Sequence, residues 1–178
     1  MTFYFRLSAI LALLTLFACS DSTPSQPACR QSTQLSTETA QPQNNTVNSK
    51  AAACLVKIQN KVLLIRHRLT GKLDFPGGGV DKDESLSCAA HRETWEETGF
   101  NVFVRKHLLT TRRGLLVFAC DLDAGVGAFP DNFSPPAWAK IEVTAVEKVD
   151  PFVIEHNAMR FPDDLVSLRD GFIAFTPQ

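Results

Sequence analysis

The stretch Gly78-Gly79-Val80-Asp81-Lys82-Asp83-Glu84-Ser85-Leu86-Ser87-Cys88-Ala89-Ala90-His91-Arg92-Glu93-Thr94-Trp95-Glu96-Glu97-Thr98-Gly99-Phe100 decides how this chain reads. From Ser85 to Thr98 it contains neither Gly nor Pro, and Leu86, Ala90 and Thr94 recur at fourfold spacing. That pattern predicts one helix with a small, mildly apolar seam. Asp83 or Ser85 can cap its start, since a short side-chain oxygen accepts from the first free backbone N–H groups. Gly99 suits its end, because glycine tolerates the left-handed conformation. On such a helix Glu93 and Glu97 lie one turn apart with Glu96 beside them, so three carboxylates share a face. Like charges at this spacing repel by roughly a few tenths of a kcal/mol per pair. Either solvent or a cation must compensate them, and oxygen donors of this kind favour hard Mg²⁺ or Mn²⁺.

Outward from this helix the chain reads as strands. Ala53 to Ile58 and Val62 to Ile65 flank the turn-prone Gln59-Asn60-Lys61, a strand hairpin. Pro76 to Gly79 is rich in breakers and reads as a loop. Phe100 to Leu109 and Gly114 to Leu122 form a second hairpin around the basic tip Thr110 to Arg113. Gly125 to Pro136 reads as a loop, Ile141 to Val149 as a strand, and Asp163 to Arg169 as a short terminal helix. Strands on both sides of a helix, followed by a last helix, predict an α/β fold with a mixed sheet covered by helices. No internal repeat is present.

The N-terminus has a different character. Arg6 precedes the apolar run Leu7 to Ala18, which is too short for a spanning helix of roughly 20 residues but suits the core of a secretory signal. Leu16-Phe17-Ala18-Cys19 resembles the bacterial lipobox, with Phe17 bulkier than is usual there. The resemblance implies a signal peptide over 1–18 and a lipidated Cys19. Because Ser20 follows, it also implies an outer-membrane lipoprotein whose domain faces the periplasm. Residues 19–50 are rich in Ser, Thr, Gln, Asn and Pro, with only Leu35 and Val47 as larger aliphatics after Cys19, and read as a flexible tether. The folded domain then covers 51–178. Four cysteines remain, Cys29, Cys54, Cys88 and Cys120, and an oxidising compartment permits disulfides among them. Cys54 and Cys120 lie in strand-like runs and are either sheet neighbours able to bond or buried free thiols.

The segment Gly78-x5-Glu84-x7-Arg92-Glu93-Thr94-Trp95-Glu96-Glu97-Thr98-Gly99-Phe100 resembles the signature of the Nudix hydrolases, matching all its fixed Gly, Glu and Arg positions. Thr94 and Phe100 stand where that signature carries aliphatic residues. Leu73-Asp74-Phe75-Pro76-Gly77-Gly78 looks like the family's lead-in loop, and the likeness extends in outline over most of residues 51–150. It implies an α/β/α sandwich and metal-dependent hydrolysis of a pyrophosphate bond in a nucleoside diphosphate derivative or a related organic pyrophosphate. Glu93, Glu96 and Glu97 are the implied Mg²⁺ or Mn²⁺ ligands, with the Gly77 carbonyl a further ligand because glycine backbone can approach an ion closely. Glu84 is implied to position water or ligands, and Arg92 to orient Glu93. The general base stays open among Glu96, Glu142 and Glu147.

Several other side chains have a chemical and a plain reading. Arg66, Arg68, Arg112 and Arg113 can contact phosphate or simply face solvent. Trp138 can stack on a base or cover the core, and His67 or His156 can assist proton transfer or stand as ordinary surface histidines. The chain of 178 residues is 44% hydrophobic and 21% charged, an ordinary globular balance for one domain. Its 18 Lys and Arg against 19 Asp and Glu give a formal net charge of -1, so no general attraction to nucleic-acid polymers is expected. The partners expected are a small pyrophosphate substrate and, through Cys19, a membrane. A catalytically silent ligand-binding domain and a non-hydrolytic isomerase of the same fold are the alternatives. Oligomeric state is not readable.

Overall fold

The structure, a computed structural model, describes residues 24–38, 49–123 and 125–176. The segment read as a signal peptide, 1–18, and Cys19 lie outside the described residues. Strand β1 (Ala51–Ile58) turns through Gln59, whose φ is 57°, into β2 (Lys61–His67), which confirms the first hairpin. Short strands β3 (Leu73–Asp74) and β4 (Gly77–Gly79) follow, then helix α2 (Leu86–Thr98). The second hairpin is β5 (Phe103–Thr110) with β6 (Leu116–Asp121). Strands β7 (Asn132–Phe133) and β8 (Val143–Val149) and helix α3 (Asp164–Ala174) complete the domain. Among the described residues no helix is long and apolar enough to cross a membrane.

The strand order is β5-β6-β1-β2-β8-β7, with β3 attached to β2 and β4 to β1. The β1–β6 pairing is parallel and the others are antiparallel, so the sheet is mixed as expected. Residues Ala52 to Val56 of β1 have no exposure, because a helix covers each face of the sheet. Ala53 and Leu55 pack with Leu165, Leu168 and Phe172 of α3, whereas Ala52, Cys54 and Val56 pack with Ala89 and Ala90 of α2. Strand alternation thus sends successive β1 side chains into two cores and makes the α/β/α sandwich.

Three local expectations are corrected. Gly77–Gly79 is a strand as well as a loop: a Cβ at Gly77 would sit 2.4 Å from Ala53 Cβ, so glycine alone lets this backbone lie against β1. The segment read as the loop 125–136 carries β7, which pairs with β8. The strand read over 141–149 begins at Val143, and Ala137–Ile141 is instead a short 3₁₀ helix. The tether reading fails over 29–38. Those residues include helix α1 (Thr33–Glu38), Gln31 bridges Val104 at the β5 edge, and Leu35 is only 8% exposed among the α2-side core residues. One leucine and one cysteine suffice there, because Cys29 is bonded to Cys88 of α2. Cys54 and Cys120 also form a disulfide, across the neighbouring parallel strands β1 and β6.

Candidate active site

Helix α2 is held at both ends. Ser85, rather than Asp83, is the N-cap, its hydroxyl accepting from the Cys88 N–H at 3.2 Å. Gly99 closes the helix at φ 78°, its N–H donating to the Trp95 carbonyl at 2.8 Å. Thr94, the residue at an aliphatic position, has no exposure, and its hydroxyl donates to the Ala90 carbonyl at 2.7 Å. The buried polar atom is satisfied, so the departure leaves the packing intact. Phe100, the other departure, sits edge-on to Phe129 and Phe133 with ring centroids 6.0 Å away in each case.

The carboxylate face of this helix is organised by Arg92, itself buried. Its Nε donates to Glu84 Oε1 at 3.0 Å and its Nη2 to Glu84 Oε2 at 3.0 Å, a bidentate fork. Nη1 donates to Glu93 Oε1 at 2.9 Å and to Glu96 Oε2 at 3.0 Å, while Nη2 also reaches the Gly79 carbonyl at 2.7 Å. One planar guanidinium therefore fixes three of the four glutamates and the loop that faces them. The hydrogen bond to Glu84 is the main reason that the Arg92 pKa is driven further up. Burial alone would raise Glu84, but hydrogen bonds from Arg92 and the Asp81 N–H, with the Arg92 charge, hold it below the ordinary carboxylate range.

Glu97 has a different environment. It is 7% exposed, and its Oε2 accepts from the Gly77 N–H at 2.8 Å. Burial pushes its carboxyl well up, and the charges of Glu93, Asp74 and Glu142 add to this against the Gly77 hydrogen bond. Burial likewise raises Glu93, although Arg92 opposes the shift. Gly78 makes room for the arrangement, since a Cβ there would lie 2.5 Å from the Glu93 carboxyl carbon. The cluster is thus short of positive charge at Glu97, which the Arg92 fork does not reach.

Beside the carboxylates lies a cavity of about 190 Å³ lined by Glu96, Glu97, Trp138, Ala139, Ile141 and Glu142. Trp138 stacks on Trp95 of α2 with centroids 5.4 Å apart, and Ile141 is 79% exposed at the mouth. Glu142 therefore joins the site, whereas Glu147 is turned into a pair with Arg66 at 2.5 Å. Arg66 is committed to that pair, and Arg68 donates to the Lys140 carbonyl. Arg112 and Arg113 bond Asp163 and Asp164 around a second cavity of about 210 Å³ that includes Phe161. His67 meets the Thr70 hydroxyl at 3.3 Å, and His156 is exposed. Asp74 and Glu142, whose charges act on Glu97, join the cluster from outside the helix. Asp74 lay within the lead-in loop, but no spacing rule marked its carboxylate.

Among the described residues no three His, Cys, Asp or Glu side chains already stand as a closed ligand cage. Arg92 draws Glu93 and Glu96 to itself, and Glu97 faces Gly77. The donor chemistry nevertheless fits a hard divalent ion: all donors are oxygens, and buried Glu97, repelled by its acidic neighbours, has no ion pair with a basic side chain among the described residues.

Comparison with known proteins agrees with this geometry. Residues 48–148 match the model of the NUDIX domain. A MutT-like protein of Streptomyces ambofaciens is 34% identical over 94 residues, covering 49% of this chain and 60% of that protein. Phosphatase NudJ of Escherichia coli strain K12 is 39% identical over 61 residues, covering 31% of this chain and 40% of that protein. The matched regions thus span less than two thirds of either curated relative. A crystal structure of an ADP-ribose pyrophosphatase from Streptococcus suis superposes with TM-score 0.56 at 19% identity, covering 70% of this chain and 89% of that one, a likeness of fold. With the domain match spanning most of the two-core sandwich and the whole glutamate helix, the chain belongs to the Nudix family.

Proposed function

We propose that this protein hydrolyses a pyrophosphate bond, with Mg²⁺ or Mn²⁺, in a nucleoside diphosphate linked to another moiety or in a related organic pyrophosphate. The observation that carries the reading is the Arg92 fork, which orders Glu84, Glu93 and Glu96 next to a buried and uncompensated Glu97. A surface acidic helix has no need of such an arrangement. The names of the relatives, a phosphatase and an ADP-ribose pyrophosphatase, support the same class of reaction.

Glu93, Glu96 and Glu97 would hold the ion, with the Gly77 carbonyl. When bound, the divalent ion supplies Lewis-acid polarisation of the phosphoryl oxygens and neutralises diphosphate charge. Arg92 keeps Glu93 and Glu96 oriented, and Glu84 anchors Arg92 in turn. The Gly77 N–H fixes Glu97. Glu96 and Glu142 line the cavity and are the carboxylates available to take a proton from an attacking water. Glu147, occupied by Arg66, has no such role. The apolar wall of Trp138 and Ile141 would receive the organic part of the substrate.

The reading also includes anchoring through a lipidated Cys19, with the domain facing the periplasm. Two disulfides support an oxidising compartment.

The decisive experiment supplies the purified full-length chain with Mg²⁺ or Mn²⁺ and a panel of nucleoside diphosphate derivatives. Metal-dependent release of two phosphate-bearing products is expected. Binding of these compounds without turnover at any metal concentration would favour the silent ligand-binding alternative.

A further inference from the structure

The two disulfides differ in what can reach them. Cys54 and Cys120 have no exposure, sealed between β1, β6 and α2. Cys29 is exposed, and its partner Cys88 is half-buried in the first turn of α2. We propose that Cys29–Cys88 is a thiol-reducible modification site, and that residues 29–38 form a latch released from the glutamate-bearing helix when the bond opens.

The latch lies along the sheet edge and the outer side of α2. The Ser32 N–H donates to the Val104 carbonyl at 2.8 Å, and the Val104 N–H donates to the Arg30 carbonyl at 2.8 Å. Arg30 Nη1 donates to the Asn101 carbonyl at 2.9 Å and to Asp123 Oδ2 at 3.0 Å. The Ser87 hydroxyl of α2 donates to the Gln31 side-chain carbonyl, and Leu35 covers Ala89, Ala90 and Val104. The Arg30 side-chain contacts are open to water, where exposed pairs contribute little, whereas the bonds to Val104, Ser87 and the Arg105 carbonyl are partly or fully shielded. Ordering a free segment costs entropy at every residue. Against that cost the covalent tie at Cys29 tips a short segment with few contacts toward its seated position, and opening it lets the segment leave.

Opening follows thiol–disulfide exchange. A thiolate attacks the sulfur of exposed residue Cys29, forms a mixed disulfide with it and expels Cys88 as a thiolate. Cys88 is the better leaving group, because its charge forms at the helix N-terminal turn, where backbone N–H groups and the macrodipole stabilise an anion. A second thiol then attacks the mixed disulfide. Two thiols are thereby oxidised to a disulfide, and Cys29 and Cys88 are left as two thiols after protonation. The buried Cys54–Cys120 bond offers no such approach.

The test needs no substrate. Full-length protein is incubated with graded dithiothreitol, trapped with iodoacetamide and mapped by mass spectrometry, with parallel brief trypsin digestion. Arg30 is the only Arg or Lys between Arg6 and Lys50, so cutting after it reports latch release. Cys29 and Cys88 should become alkylated on the order of ten-fold or more before Cys54 and Cys120. Cutting after Arg30 should accelerate in step, and the melting temperature should fall by on the order of 5 to 10 °C. Cys29→Ser should be cut rapidly without reductant and gain nothing from it. Simultaneous reduction of both bonds, or reduction of Cys29–Cys88 with Arg30 still protected, would overturn the proposal.

Discussion

Glu97 is the residue where stability and chemistry pull in opposite directions. It is buried and repelled by Glu93, Asp74 and Glu142, and among the described residues its carboxylate is hydrogen-bonded only by the Gly77 backbone N–H. Glu97→Gln keeps the volume and an acceptor for that N–H but removes the buried charge. The metal-free variant should unfold at a urea concentration no lower than the parent's, while turnover with saturating Mg²⁺ falls on the order of 10²-fold or more. Near-parental turnover would take Glu97 out of the reaction. Asp74 gives a second test. Burial raises its carboxyl, outweighing the charges of Arg113 and Arg160 and the Phe75 N–H. A raised folded-state value means that the native protein holds this proton more tightly than the unfolded chain does. The resulting stability is fully present below the unfolded value near pH 4 and is lost as pH rises through the folded value. Asp74→Asn should therefore gain on the parent in urea midpoint as pH is raised from 4 to 7, and parallel midpoint curves would contradict the assignment. The helical glutamates were legible in the sequence because helix periodicity alone puts positions 93, 96 and 97 together. Asp74 and Glu142 were not singled out as partners of Glu97, because tertiary folding brings in their charges and no local period marks it.

Among the elements, β4 does the most with the least. Its glycines let the backbone pass between Ala53 of β1 and the Glu93 carboxyl of α2, closer than any side chain permits. Gly77→Ala would place a Cβ 2.4 Å from Ala53 Cβ and 2.5 Å from the Ala52 carbonyl oxygen, contacts with rigid strand atoms that cannot swing away. The strand must lift, costing about 1 to 3 kcal/mol in overpacking. Lifting also moves the N–H that holds Glu97. Chemical denaturation and Mn²⁺ titration should show stability and metal affinity falling together, and a variant with parental values for both would refute the close approach. The two hairpins, α2 and the terminal helix were readable because each has its own hydrophobic period or turn residues. Three-residue β4 and two-residue β7 were not, since so short a strand carries no alternation and is defined by the neighbour it pairs with.

For the whole molecule, the boundary at residue 51 was drawn where apolar density rises, and the two cores do lie beyond it except for Leu35. Composition could not register the latch, because a disulfide substitutes for the buried area that a 29–38 segment would otherwise need. The loop it closes is long, with a sequence separation of 59, so in the chain-entropy description it restricts the unfolded state substantially. A chain starting at residue 51 loses that restriction, bares Ala89, Ala90 and Val104, and leaves Cys88 free. It keeps β1 to β8, α2, α3 and the Cys54–Cys120 bond. Residues 51–178 should consequently fold and retain the α2 glutamate site, with a melting temperature on the order of 5 to 10 °C below that of residues 24–178 measured under the same oxidising conditions. Circular dichroism melts of the two fragments decide the matter. Equal melting temperatures would make the N-terminal segment a passive passenger, and failure of the shorter fragment to fold would make it part of the core.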